Sequence, residues 1–399
     1  MKISFSPPDI TQAEIEAVAE VLRSGWITTG PRVRELEERL AEYCGTPRAV
    51  CLNSATACME MALRAWGIGP GDEVITSAYT YSATAAIICH VGATPILIDT
   101  EKNSYHMDID QIEKAISRKT KAILPVDIGG AMCDYERILE VMEEKKGRFR
   151  PQNDQQAIFS RPIILADAAH SFGASRKNKK SGNAADFTAF SFHAVKNLTT
   201  GEGGALTWRH RDGINPEEWH RRVKLLSLHG QTKDALEKNK TLSEWEYDVA
   251  GAYYKCNMTD VAAAIGLVQF ARYEKLLKKR RAIAEYYDKR LSEKEVTAWQ
   301  RDERHGQSSR HLYLVRLPGR DRESCNNIMR RMAQKGVPSN VHFKPLPLLT
   351  AYRGMGFRIE NCPNAYDSYS NTITLPLHTG LTGDEAEYVM DVFINESGV

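Results

Sequence analysis

Nowhere does this 399-residue chain approach the roughly 20 uninterrupted apolar residues that a membrane-crossing helix needs. The first residues, Met1-Lys2-Ile3-Ser4-Phe5-Ser6-Pro7-Pro8, contain no apolar leader-like core, so a cytoplasmic location is the expectation. Neither sign of charge is in excess. Lys+Arg 53 against Asp+Glu 51 leaves +2, which gives no global attraction to nucleic acid or an anionic membrane. The eight cysteines show no C-x-x-C spacing, and several sit inside apolar runs such as Ile87-Ile88-Cys89. They read as small core residues, not as a metal site or a disulfide framework. Also missing are a G-x-x-x-x-G-K-[ST] loop, a G-x-G-x-x-G turn after a strand, H-E-x-x-H and G-x-S-x-G. Nucleotide P-loop, Rossmann, zinc-protease and serine-hydrolase chemistry are therefore unsupported.

What is present is a soluble globular composition, 42% apolar and 26% charged, in a chain long enough for two cores. Thr11-x-x-Glu14 predicts a capped helix with Ile15, Val18, Val21 and Leu22 at helical spacing. Short apolar strands then alternate with helices: strand Ala49–Leu52, helix Ala57–Trp66, strand Asp72–Thr76, helix Ser82–Val91. Strands Thr94–Ile98, Lys121–Val126 and Ile163–Ala166 continue the series. Continuous apolar strands between helices predict a mainly parallel sheet covered on both faces. The polar stretch Lys145–Arg161 reads as a surface excursion, and Gln231–Lys240 as a loop. Thr259–Leu291 reads as a long helix, straight or bent, leaving the first unit. A smaller α+β unit follows, with strands Arg310–Leu317, Ser339–Phe343 and Thr372–Leu377, a helix Glu323–Lys335 and a terminal helix after Thr382-x-x-Glu385.

The chemistry concentrates in three segments. Lys196 lies between Phe190-Ser191-Phe192 and the glycines 201, 203 and 204, a poor setting for a solvated surface lysine. Asp167 ends the apolar strand Ile163-Ile164-Leu165-Ala166. A lysine able to form a Schiff base and an acid able to hold a pyridinium nitrogen are what pyridoxal 5'-phosphate chemistry requires. Asn53-Ser54-Ala55-Thr56-Ala57, between a strand and a helix, offers backbone N–H groups and the Thr56 hydroxyl to a phosphate. Taken alone, that segment is more simply an ordinary helix cap. Ser191 is a candidate second phosphate donor, His170 could lie over a cofactor ring, and Tyr81 could supply a stacking ring.

Together these segments resemble the DegT/DnrJ/EryC1/StrS family of sugar aminotransferases, within the fold type I pyridoxal-phosphate superfamily. The resemblance runs from Ser24–Pro31 through Gly67–Ile75, the Phe190–Gly204 run and Tyr254–Asp260 to Val341-His342-Phe343. It implies a large domain with a mainly parallel seven-stranded sheet over residues 1–255, whose N-terminal segment can pack on the small domain. A small C-terminal α+β domain would span 256–399. It implies transfer of an amino group from an amino acid, usually L-glutamate, to a keto group of a nucleotide-linked sugar. Lys196 would be the Schiff-base lysine and Asp167 the pyridinium partner, with His170 and Tyr81 flanking the ring. Ala55, Thr56 and Ser191 would hold the phosphate. Such enzymes are homodimers with shared active sites, so Lys255 and Asn257 would reach the partner's cofactor, while His342 would line the sugar pocket. The chain departs from the family at Ala166, where Glu is usual, and at Asp127, where His is usual; Asp127 is thus a candidate to face the sugar. Relatives with histidine in place of the lysine carry out dehydration, and Lys196 argues for transamination instead. Two other readings remain open: an enzyme acting on amino acids alone, with Arg310 or Arg316 clamping a carboxylate, and a non-catalytic regulator of the same fold.

Overall fold

The computed structural model describes residues 1–233, 246–299 and 306–399. Its main sheet holds β1 (Ala49–Leu52), β2 (Glu73–Ser77), β3 (Thr94–Ile98), β4 (Thr120–Leu124), β5 (Ile163–Asp167), β8 (Phe187–Ser191) and β9 (Gly204–Trp208). Two-residue strands β6 (Ser175–Arg176) and β7 (Lys179–Lys180) form a hairpin outside it. The seven strands are ordered β1-β9-β8-β5-β4-β2-β3. Only β9 runs antiparallel to its neighbours, and the remaining pairs are parallel. The alternation of apolar strands and helices predicted this mainly parallel sheet, and its seven strands agree with the fold type I architecture that the resemblance implied.

Burial explains why the strands read as unbroken apolar runs. Every residue of β1, β4, β5 and β9 is buried, because helices cover both faces. On one face, helices Ala55–Ala65 and Pro216–Ser227 pack Met59, Leu63, Trp66 and Trp219 onto Leu165 and Leu206. On the other, helices Pro31–Cys44 and Asp260–Ala271 bring Leu36, Leu40 and Leu267 against Cys51 and Phe190. A separate cluster joins β10 (Tyr313–Arg316) and β11 (Thr372–Leu375) to helices Arg322–Gln334 and Gly383–Ser397. Ile3 is part of this cluster, and its N–H donates to the Gly336 carbonyl at 2.9 Å. Both sequence-predicted capping boxes, at Thr11/Glu14 and Thr382/Glu385, are formed.

Three expectations need correction. The long helix is two helices, Asp260–Ala271 and Tyr273–Arg290, interrupted at Arg272. There the guanidinium is held by the Asp9 and Glu14 carboxylates, each at 2.7 Å, which ties the chain's start to the break. Lys145–Arg161 is more than a surface excursion: it contains the helix Asp154–Phe159, and Phe159 packs edge-on against Trp66 at 4.5 Å. Its polar residues are used internally. Asn153 and Gln156 donate to the Trp66 carbonyl, and buried Arg161 makes a bidentate pair with buried Asp186. Ser339–Phe343 forms no strand; only Asn340 pairs, with Thr374. Beyond it the chain turns away, carrying His342 and Phe343 to a cavity. Most of Gln231–Lys240 lies outside the described residues.

The C-terminal ends of β1, β2, β5 and β8 open on the same edge of the sheet, where α/β folds form their sites. Among the described residues, no helix is long and apolar enough to cross a membrane.

Candidate active site

A cavity of about 570 Å³ lies at that edge, lined by Ala55, Thr56, Tyr81, Asp167, His170, Ser191, Lys196 and His342. Segments far apart in sequence converge because each follows the end of a main-sheet strand or comes from the C-terminal unit. Sequence reading missed several other lining residues: Phe5, Ser6, His311, Asn340 and Phe343.

Lys196 follows β8 in a tight loop, with its N–H donating to the His193 carbonyl at 2.9 Å. The side chain is half-buried and opens onto the cavity. Desolvation disfavours the ammonium form and outweighs the attraction of Asp167, lowering the amine's pKa to about 8.

Asp167 is buried at the end of β5. Its Oδ2 accepts the Thr84 hydroxyl at 2.7 Å, and its Oδ1 accepts the Ala169 N–H at 3.2 Å. Burial raises its pKa, opposed by Thr84, by Ala169 and by the positive charge of Lys196.

Three imidazoles gather beside the lysine. His170 lies 4.5 Å from His311, centroid to centroid, and is stacked on Phe343 at 5.9 Å. The His170 Nδ1 accepts the Gly129 N–H at 3.2 Å, which places the proton of a neutral ring on Nε2. Burial, with the Lys196 charge adding to it, holds His170 and His311 well below the ordinary histidine range and His342 at about 4. The three rings are therefore neutral at physiological pH. His311 shares a hydrogen bond with Asn197 at 3.0 Å, directly after the lysine, so the C-terminal unit braces the lysine loop.

The helix Ala55–Ala65 points its N-terminus into the cavity. Ser54 caps it by accepting the Ala57 N–H at 3.1 Å. Ala55 and Thr56, the first two residues, have no helical acceptor for their N–H groups. Gly204 passes so close that a Cβ there would lie 2.5 Å from the Ala55 nitrogen.

Three expected residues are not brought into this cavity. Asp127 is a correction: it is fully buried and does not line the cavity. Its carboxylate is occupied by Tyr135, Cys133 and Ser171 at 2.6–2.8 Å, and desolvation lifts its pKa to about 6. Lys255 and Asn257 hydrogen-bond each other, and Asn257 also donates to Thr29 at 2.6 Å. They sit on an edge beside Leu52 and Asn53, outside this chain's own cavity. The two arginines considered as carboxylate clamps are engaged elsewhere: Arg310 with Asp288, and Arg316 with Asn371 and Asp367.

Thr84 carried no distinguishing signal, and Phe343 stood out only within the Val341-His342-Phe343 segment of the resemblance. Thr84 is one of several small residues in Ser82-Ala83-Thr84-Ala85, and Phe343 lay in an expected strand. The site combines an amine of low proton affinity, a buried acid, neutral aromatic walls and a helix N-terminus for an anion. That donor set fits a phosphorylated aldehyde carrying a ring nitrogen.

A sequence profile of the DegT/DnrJ/EryC1/StrS aminotransferase family matches residues 8–393. Among curated proteins, the spore coat polysaccharide biosynthesis protein SpsC of Bacillus subtilis is 36% identical over 394 residues, covering 98% of this chain and 95% of its own. Among solved structures, Spr1654 of Streptococcus pneumoniae, provisionally assigned as a sugar aminotransferase, was determined in a PMP form. It matches with a TM-score of 0.97 at 49% identity, over 100% of this chain and 99% of that one. PseC of Helicobacter pylori, an aminotransferase of pseudoaminic acid biosynthesis, matches with a TM-score of 0.87 at 26% identity over 100% of both chains.

Proposed function

The chain belongs to the DegT/DnrJ/EryC1/StrS aminotransferase family, and from that membership we propose that it is a pyridoxal-phosphate-dependent sugar aminotransferase. Its acceptor is a nucleotide-linked ketosugar and its donor an amino acid, L-glutamate. The observation carrying this reading is one cavity that holds Lys196, Asp167 and a helix N-terminus together. The cofactor, when bound, contributes an aldehyde that carries the amino group and a ring that takes up electron density as a substrate carbon loses its proton.

In this reading Lys196 would hold the cofactor's aldehyde, and its amine would move a proton at the substrate carbon. Its low proton affinity lets the neutral amine act as a base near neutral pH. Asp167 keeps the ring nitrogen protonated by placing a carboxylate in a site without water's screening. Ala55 and Thr56 N–H groups, with the Thr56 and Ser191 hydroxyls, hold the phosphate. His170 and Tyr81, which line the cavity, would flank the ring. Neutral His342, with Phe5, Phe343 and Asn340, forms a largely uncharged wall suited to a hydroxylated sugar ring. Among the described residues lining the cavity there is no arginine, which supports a sugar acceptor over a carboxylate-clamped amino acid.

The working unit in this proposal is a cytoplasmic homodimer, in which Lys255 and Asn257 reach the partner's site. Support comes from the same edge, where Tyr247, Val249, Tyr253 and Tyr254 are exposed together. A large cofactor-binding domain over 1–255 and a smaller domain over 256–399 complete the proposal.

The test is a ¹⁵N-transfer assay with labelled L-glutamate and UDP-, dTDP- and GDP-ketosugars beside a panel of 2-oxo acids. The label should appear in a nucleotide-linked aminosugar. Its appearance in 2-oxo acids alone would refute the sugar assignment, and its appearance in neither would favour the regulator.

A further inference from the structure

The buried acid at the cavity floor has an unusual support. Among the described residues only two donors reach the Asp167 carboxylate, one on each oxygen: the Thr84 hydroxyl on Oδ2 and the Ala169 N–H on Oδ1. The Ala169 N–H lies two residues along the same segment and, at 3.2 Å, holds one oxygen by the longer of the two bonds. Thr84 comes from a different element, the first turn of the helix Ser82–His90.

The hydroxyl has one proton and several neighbours. The Tyr81 carbonyl stands at 3.2 Å and the Asp167 oxygen at 2.7 Å, so the proton goes to the carboxylate. Thr84 must then act as acceptor toward its other partner, and the Thr80 hydroxyl lies 2.8 Å away. A directed chain results, Thr80 to Thr84 to Asp167, with both threonines fully enclosed. The same turn carries Tyr81, whose ring lines the cavity. Each oxygen thus accepts one of these donors, and Asp167 itself lines the cavity.

We propose that Thr84, backed by Thr80, is a positioning residue that fixes the plane of the Asp167 carboxylate toward the ring nitrogen of the cofactor. The inference rests on Asp167 being the partner of that nitrogen. Without the threonine hydroxyl the carboxylate loses its only donor from another element, and its aim at the nitrogen becomes one of several orientations.

The experiment compares equilibrium binding of pyridoxal phosphate with that of its 1-deaza analogue, in which C–H replaces the ring nitrogen, to cofactor-free full-length protein. Thr84→Val preserves shape and removes the hydroxyl. Pyridoxal phosphate should bind it roughly tenfold more weakly, as expected for a lost hydrogen bond to a charged group. The analogue should bind as it does to the unaltered protein, and Thr84→Ser should restore the natural cofactor. Equal weakening of both ligands, or no weakening of either, overturns the inference. Asp167→Asn reports on the underlying assignment, because it should abolish the preference for pyridoxal phosphate over the analogue. Should that preference survive Asp167→Asn, the pairing with the nitrogen is wrong and the role of Thr84 falls with it. Should it survive only Thr84→Val, the pairing stands and Thr84 alone is refuted.

Discussion

The proton affinity of Lys196 is set by two opposed influences, and replacing Asp167 by Asn separates them. Desolvation lowers the amine's pKa to about 8, while the Asp167 carboxylate pulls it upward. At pH 7 an amine of pKa 8 is about one-tenth neutral, whereas an ordinary lysine near 10.4 is neutral in only about 0.04% of molecules. The fold therefore multiplies the reactive form a few-hundred-fold. Removing the negative charge leaves desolvation unopposed, so Asp167→Asn should move the midpoint further down, below 8. The sign follows from electrostatics: a nearby anion stabilises the ammonium, and its loss favours the neutral amine. Competitive acetylation of the cofactor-free protein across pH 6–11, read peptide by peptide by mass spectrometry, measures this midpoint against the surface lysines. An unaltered protein whose Lys196 titrates with the surface lysines near 10.4, or an Asp167→Asn midpoint that rises, would refute the reasoning.

Two further substitutions probe the walls of the site. Gly204→Ala forces a methyl group against the Ala55 nitrogen and the Phe190 carbonyl, at 2.5 and 2.6 Å. Backbone atoms cannot give way cheaply, so a loss of about 1–3 kcal/mol in urea unfolding is expected together with weaker phosphate and cofactor binding; unchanged stability would contradict the close approach. Phe5 stacks on His342 at 6.1 Å, and its neighbour Ser6 donates to the Val195 carbonyl. Phe5→Ala should therefore raise KM for the sugar acceptor by roughly tenfold, about 1.4 kcal/mol, while cofactor affinity stays constant. A change in cofactor affinity alone would place Phe5 outside the acceptor pocket.

The parts of this molecule that were legible in advance share a physical property. β1 was read with its observed bounds because a fully buried strand repeats apolar residues without interruption. Lys196 and Asp167 were legible because charged residues beside apolar strands and glycine turns are costly unless used. Asp127 misled because the same cue has a second cause: a buried acid can be satisfied internally, here by Tyr135, Cys133 and Ser171. Thr84 was invisible because its partner lies 83 residues away and small polar residues in a helix's first turn are commonplace. The sequence allowed a bend within Thr259–Leu291 without placing it at Arg272, since an arginine inside a helical pattern gives no local reason to stop. At the break its guanidinium meets Asp9 and Glu14, partners far away in sequence.

The central claim concerns one amine. Incubating the protein with pyridoxal phosphate, reducing with borohydride and mapping peptides by mass spectrometry should give a single cofactor adduct, on Lys196, that disappears in Lys196→Ala. An adduct on another lysine, or none at all, would contradict it.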